Sequence, residues 1–432
     1  MQVKKLVLAL AVAIAVPSAF AANLTTGVTT DNIMYVTGAT AQTKGLAIAL
    51  GKLCGANTFI SLTDGAAIPV AKGYKCDAPA TATFTALPGV TGPWIVLKNE
   101  GGSLNAITPL RNGSSQGQLD ITSCTVTGTS GTCTSALKPQ PEYFGFSDVS
   151  SKVFAAKNQL VAQTAGNTYV TDISVGAGQG FGIVVSPALY TLLQNDQGTG
   201  TSGVPSISKA QYASLMTQTA GTWATLLPNG TAHPASTTVT LARRGLTSGT
   251  QAAAEVYFLS NPCAAGAAPI GGSSTATPGS ASGQNLGEII VKQEGSSDAV
   301  LAEMTATPYA IGVVSLENIQ PASSWKYVAI DGVSAGTANA PEWQRKNVVN
   351  GNYGFAFETF LHKTTKSTIS AAILNNINDF SNAIIADLGV GANLATSNGL
   401  YGDPLANLAD FGPETNHYSR GGNECGVSAN QF

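Results

Sequence analysis

The stretch Leu241 to Leu259, LARRGLTSGTQAAAEVYFL, holds the side chains best suited to chemistry. Just upstream and into it, Thr237–Leu241 is β-branched and apolar and reads as a strand, closed by Arg243 and Arg244. A small polar turn, Gly245–Thr250, follows. Gln251–Leu259 then predicts a helix, with Ala252, Val256 and Leu259 at helical spacing. A strand, a short turn and a helix N-terminus form an anion site, because the first helical N–H groups lack intrahelical partners and the helix dipole is positive there. Gly249 lets the backbone approach a ligand, Ser248 and Thr250 add hydroxyls, and Arg244 offers a planar, permanently charged fork. The same residues also read as an ordinary N-cap beside a surface arginine.

The elements around this stretch repeat its pattern. Ile33–Thr37 reads as a strand, Gly38–Ala41 as a turn and Gln42–Cys54 as a helix. Trp94–Leu97, Glu100–Ser103 and Leu104–Leu110 repeat strand, turn and short helix. Tyr143–Phe146 is a strand ending at Ser147 and Asp148, with a helix from Ser150 to Leu160; a carboxylate there is ordinarily an N-cap. Tyr169–Ile173 and Phe181–Val185 read as two strands separated by Gly176–Gly180. That loop has dinucleotide-binding composition, but a strand follows it rather than a helix, which argues against the motif. Further on come a strand at Glu288–Val291, a turn at Glu294–Ser297 and a helix from Asp298 to Met304. A strand at Ala310–Ser315 and an amphipathic helix from Ser367 to Phe380 follow, the latter with Ile369, Ile373, Ile377 and Phe380 on one face. Alternation of this kind predicts an α/β fold with mainly parallel sheets.

The address is written in the first residues. Lys4 and Lys5, the apolar run Leu6–Val16 and the small-x-small site Ala19–Phe20–Ala21 read as a secretory signal peptide over residues 1–21. No cysteine stands at the cleavage point to receive a lipid, and no later stretch has the length of a membrane span. The expected location is periplasmic or secreted. Cleavage leaves 411 residues with 19 basic against 24 acidic side chains, a formal charge of −5 that excludes nucleic-acid binding by global electrostatics. An even set of six cysteines in an oxidising compartment argues for disulfides. The pairing preferred here is Cys54–Cys76, Cys124–Cys133 and Cys263–Cys425, two short local loops and one long tie. No CxxC is present and the only histidines are His233, His362 and His417, so neither a zinc site nor another metal or cofactor is expected. Gly113–Ser135 reads as a stapled surface hairpin or loop, and Ala264–Gly283 as a flexible low-complexity insertion.

Taken in order, three segments resemble the phosphate-binding proteins that serve ABC importers: Val36–Thr40 (VTGAT), Tyr143–Asp148 (YFGFSD) and Arg244–Thr250 (RGLTSGT). Ser206–Leu226, Glu294–Ser315 and Asn347–Thr359 are similar to further segments of that family. The resemblance implies a type II periplasmic-binding-protein fold: two lobes, each a mainly parallel sheet flanked by helices, with the chain crossing twice. Lobe I would be residues 22–168 with 309–432, and lobe II residues 169–308. It further implies an oxyanion held between the lobes by Thr40, Ala41, Ser103, Asp148, Arg244, Ser248, Gly249 and Thr250. In that setting Asp148 accepts a proton from phosphate and rejects sulfate, which has none to give. The family usually places an acidic residue two positions before the Ser of SGT, where this chain has Leu246. Insertions at Cys54–Thr85, Gly113–Ser135 and Ala264–Gly283 also depart from it.

The function expected is therefore capture of inorganic phosphate or a related oxyanion, without catalysis, for an ABC permease. The alternative is a secreted structural or surface protein that reuses the fold without transport. A hydrolase reading rests on Gly113–Ser114–Ser115–Gln116–Gly117, a G-x-S-x-G match that needs a strand before it and a helix after it. His233 is expected in a surface loop and His362 in a structural role.

Overall fold

The computed structural model describes residues 24–430 apart from 56, 78–86, 220, 236, 264–267, 270–272, 275–282, 322, 336–342, 395–399, 403–417 and 428. The signal-peptide reading, most of the 264–283 insertion and His417 lie outside the described residues. The principal strands are β1 (Ile33–Gly38), β2 (Phe59–Thr63), β3 (Ala71–Cys76), β4 (Trp94–Asn99), β5 (Cys124–Thr127) and β6 (Ser130–Cys133). They continue with β7 (Phe144–Ser147), β8 (Tyr169–Val185), β9 (Val239–Arg244), β10 (Ile289–Glu294), β11 (Ala310–Ser315) and β12 (Ala356–Thr364). The helices used below are α1 (Thr43–Cys54), α2 (Ser151–Ala156), α3 (Pro187–Gln197), α4 (Lys209–Thr217), α5 (Gly249–Leu259), α6 (Ser297–Ala306) and α7 (Ala371–Leu388).

One sheet runs through the molecule in the order β10–β9–β11–β8–β12–β7–β1–β4–β3–β2–β6–β5. It has two parallel centres, β7–β1–β4 and β10–β9–β11. Antiparallel pairings join these centres, and the margin beyond β4 is antiparallel apart from the parallel pair β2–β6. The expected α/β architecture is present, with helices following the parallel strands.

β8 joins the halves. Tyr169–Gly180 pairs with β12, whereas Phe181–Val185 pairs with β11. Two separate strands were expected here, with Gly176–Gly180 as a loop between them. The chain instead forms one strand of 17 residues, with register shifts between Val170 and Ile173 and between Ser174 and Gly178. Asp172 and Gly176 have φ of 53° and 71° at these bulges, which absorb the extra residues without ending the strand. Glycine composition mimics a loop; here Gly180 and Gly182 are pressed against Leu316 and Tyr327, where a Cβ would meet atoms at 2.7 and 2.8 Å.

Two of the insertions are built into the sheet margin. The Cys54–Thr85 segment contributes the antiparallel pair β2–β3, stapled by Cys54–Cys76, and Gly113–Ser135 contributes the β5–β6 hairpin, stapled by Cys124–Cys133. The third disulfide, Cys263–Cys425, is also the expected one. It ties the loop after α5 to a C-terminal strap that lies on β12. In that strap Ser419 Oγ donates to Glu358 Oε1 at 2.8 Å, and Arg420 Nη2 donates to Gly354 O at 3.0 Å. Glu424 accepts the backbone N–H of Ser150 at the start of α2.

Apolar side chains fill both faces of the sheet. α7 begins at Ala371, capped by Ser370, whose side chain accepts from Ile373 N, and it buries Ile377, Phe380 and Ile384. Phe380 meets Trp94 edge-on at 5.4 Å in the first half. In the second, Leu241, Val291 and Ile311 pack beneath α5. Among the described residues no helix is long and apolar enough to cross a membrane.

Candidate functional site

Each parallel strand hands the chain to a turn at its C-terminal end, and these turns interlock. Gly38 ends β1 at φ 118°, where a Cβ would lie 2.2 Å from Phe146 O, so glycine is required. Ala39 N bonds Phe146 O at 2.8 Å, which fixes the turn of β1 on the end of β7. After β4, Leu104 N donates to Thr247 O at 2.9 Å, joining the two halves through backbone. A Cβ on Gly249 would sit 2.0 Å from Ser103 Oγ and 2.9 Å from Asp148 Cβ. The structure therefore brings Thr40, Ser103, Asp148, Arg244, Ser248, Gly249 and Thr250 into one cluster, buried except for the half-buried Thr40. Ala41 lies in the same 3-10 turn as Thr40 and is buried. Gly249→Ala should force the turns of the two halves apart, at a cost of about 1–3 kcal/mol in urea denaturation, as for an overpacked core position.

Arg244 bridges the cluster. Its Nη1 donates to Thr40 Oγ1 and to Ser297 Oγ, each at 3.1 Å, and its Nη2 donates to Gly295 O at 2.9 Å. Burial lowers its pKa to about 10, opposed by the charges of Asp148, Glu100, Asp298 and Glu294, so it remains a cation at neutral pH. These carboxylates put negative charge around Arg244, whereas the resemblance had implied an acidic residue at position 246. Leu246, at that position, is exposed.

Asp148 is 2 % exposed. Its N–H donates to Ser103 Oγ at 3.0 Å, and its carboxylate accepts from Gln42 Nε2 at 3.2 Å and, at 3.5 Å, from Thr250 Oγ1. Burial raises its pKa to about 6, against the lowering effects of Gln42 and Arg244. Ser248 caps α5 by accepting from Gln251 N at 3.4 Å, and Ser296 caps α6 by accepting from Ala299 N at 3.1 Å.

Beside this cluster lies a cavity of about 70 Å³ between the start of α1 and the start of α6. Of the expected site residues, Thr40 lines it; Arg244 reaches it through Thr40 and Ser297. Its other walls include Thr43, Lys44, Lys72, Glu100, Ser297 and Glu317. Sequence reasoning assigned none of these to the site. Ser296 and Ser297 were accessible, since Glu294–Ser297 is a strand–turn–helix junction like the others. Lys72 and Glu317 carried no signal, because only the sheet order brings β3 and the residues after β11 to this place. Glu100 is held by Lys98 Nζ at 2.9 Å, by Thr43 Oγ1 at 2.8 Å and by Lys72 at 3.7 Å.

The hydrolase motif has the wrong surroundings. Gly113 terminates the short helix Thr108–Asn112, and Gln116–Gln118 is a strand, the reverse of a nucleophile elbow. His362 is buried with Nε2 2.8 Å from Ser147 Oγ, and its Nδ1 accepts Asp172 N at 3.2 Å. That acceptor role leaves the proton on Nε2, which donates to Ser147, whose hydroxyl donates to Val149 O at 2.6 Å. The pair is a structural clamp, with no base free to activate Ser147. His233 stacks on Trp223 at 4.7 Å. Among the described residues no group of three or more His, Cys, Asp or Glu could hold a metal ion.

No protein-family model matches the sequence, and no curated protein matches it. Several solved structures overlap with the chain. One, named as a phosphate ABC transporter substrate-binding protein with bound phosphate from Clostridium perfringens, is 14% identical, covering 81% of this chain and 92% of that one, with a TM-score of 0.40. A phosphate-binding protein from Stenotrophomonas maltophilia is 12% identical, with 85% and 98% covered and a TM-score of 0.37. An amino acid ABC transporter substrate-binding protein from Streptococcus pneumoniae, bound to L-arginine, is 5% identical, with 85% and 92% covered and a TM-score of 0.31. Over about four-fifths of its length, the chain is similar to substrate-binding proteins of ABC transporters.

Proposed function

We propose that this protein is an extracytoplasmic solute-binding protein that captures phosphate or a related oxyanion in the cavity between the two halves of its sheet, for delivery to an ABC permease. One observation carries the reading. Arg244 Nη1 donates to both Thr40 Oγ1 and Ser297 Oγ, which lie 3.5 Å apart and both line the cavity. Each hydroxyl accepts from the guanidinium, and a ligand oxygen can take their protons in place of the long 3.5 Å contact between the two. A buried cation thus polarises two O–H donors, beside the N-terminus of α6, toward a site of oxyanion size. The halves act as lobes, and we place the crossings where strand pairing switches, at Gly180–Phe181 and just after β11, rather than at 168 and 308.

Asp148 does not line the cavity itself but lies behind it. It supplies the discrimination for a phosphate that reaches past Thr40 to the Gln42–Thr250 side of Arg244. Its carboxylate accepts from two donors, one of them at 3.5 Å, and so has acceptor capacity left for a phosphate proton. Isothermal titration at neutral pH is expected to give binding with phosphate and at least roughly tenfold weaker binding with sulfate, the cost of a buried acceptor left facing an anion. Absence of heat with phosphate ends this reading. Because Asp148 must be ionised to accept, affinity should fall about tenfold between pH 7 and pH 5. Stability runs the other way for this group. Its folded pKa is above the unfolded value, so its contribution is full below about pH 4 and is lost as pH rises through 6.

A second reading has its own support. The two terminal nitrogens of Arg244 already donate to protein groups, Thr40, Ser297 and Gly295, which is what a surface protein with a sealed cleft would need. Ordered assemblies of the purified protein in electron micrographs, without phosphate binding, would favour it.

A further inference from the structure

A bare oxyanion leaves part of the cavity unexplained. Glu317 lines it and is 5 % exposed, and its Oε2 is buried without a hydrogen-bond partner. The neighbouring cation does not answer it: Lys44 Nζ donates to the main-chain oxygen of Glu317 at 3.0 Å and lies 3.5 Å from Asn318 Oδ1. Glu100, by contrast, is fully engaged by Lys98, Lys72 and Thr43. Asp298 adds a further carboxylate on the wall beside Ser297. Among the described residues neither Glu317 nor Asp298 is part of an ion pair. The cavity therefore offers polarised hydroxyls backed by Arg244 at one place and an unanswered carboxyl at another.

We propose that the ligand is a small zwitterion, an oxyanion carrying a primary ammonium group. Its oxyanion meets Thr40 and Ser297, and its ammonium is read by Glu317. This rests on the binding-protein reading above and deepens it. The ammonium supplies the donor that Oε2 lacks, and it turns the excess of carboxylates from repulsion into attraction. The charged groups facing Glu317 are Lys44, Lys72, Glu100 and Asp148, and burial raises its pKa to about 8. In the empty site it is thus largely neutral at pH 7, and an arriving ammonium ionises it and releases a proton.

The test is isothermal titration of the full-length protein with phosphoethanolamine, ethyl phosphate and inorganic phosphate, in two buffers of different ionisation heat. Phosphoethanolamine is expected to bind at least roughly tenfold more tightly than ethyl phosphate, as for a hydrogen bond to a charged group. It should also release a proton that ethyl phosphate does not. In Glu317→Gln, an isosteric change that removes a buried acid, the ratio should shrink to about twofold or less, and the proton release should vanish. Binding of inorganic and ethyl phosphate with no gain from the amine overturns the zwitterion and leaves the oxyanion reading standing. An amine gain that persists unchanged in Glu317→Gln overturns the role of that residue. Failure of all three compounds overturns both readings together.

Discussion

Arg244→Ala is expected to weaken phosphate binding by about 2 kcal/mol or more, roughly thirtyfold, as for loss of a buried charge-assisted donor. The size follows from what the guanidinium does. It lies 3 % exposed behind Thr40 and Ser297 and orients both hydroxyls through a single nitrogen. Without it the hydroxyls are free to rotate and donate to each other or to nearby backbone oxygens. Glu100 and Asp298 on the cavity wall, and Asp148 and Glu294 close to the guanidinium, then have one compensating charge fewer. Arg244→Lys keeps the charge but gives up the planar fork that spans Thr40, Ser297 and Gly295, and should recover only part of the loss. Titration calorimetry of both variants, with melting curves to establish that they fold, checks the claim. Normal binding by Arg244→Ala would remove this residue from the site.

The largest stability effect is expected at Lys292→Met. Lys292 on β10 is 1 % exposed and its Nζ lies 2.6 Å from Glu303 Oε1 on α6, which is fully buried. Thr307 Oγ1 also donates to Glu303. Removing the lysine leaves a carboxylate deprived of its counter-ion in the interior, at a cost of about 3–5 kcal/mol. The double variant Lys292→Met, Glu303→Leu should regain most of that, since an apolar pair of similar volume has no charge to desolvate. Urea denaturation of the single and double variants measures both. A loss below about 1 kcal/mol in the single variant would mean that water reaches Glu303. The pair also joins α6 to its preceding strand, so it sets the position of Ser296 and Ser297 at the cavity.

Much of the fold was legible in local pattern. The strand–turn–helix units at Gly38–Ala41, Glu100–Ser103, Ser147–Asp148 and Gly245–Thr250 lie where their periodicity and turn residues placed them. The three disulfides are the preferred set, two chosen as short local loops and the third pairing the remaining cysteines. Arg244 and Asp148 stood out as charges at strand ends, and the structure brings them to one cluster. Two kinds of information were not local. Gly176–Gly180 has the composition of a loop, and its strand conformation depends on β12 pairing along one edge while bulges take up the excess length. Lys72, Glu100 and Glu317 reach one cavity from three different segments, and no spacing in the chain records that meeting. The polarity of the site, with a carboxyl left unanswered beside an arginine-backed pair of hydroxyls, is a tertiary property.

The C-terminal strap has a consequence for how the molecule moves. Cys263–Cys425 fastens the loop after α5 to a segment that is itself pinned to β12 and to Ser150, the N-cap of α2. Together with the uninterrupted β8, this gives the empty protein a cross-braced frame, so the range of orientations it explores before meeting a ligand is narrow. Less disorder is left to remove on capture, and affinity gains through pre-organisation rather than through added contacts.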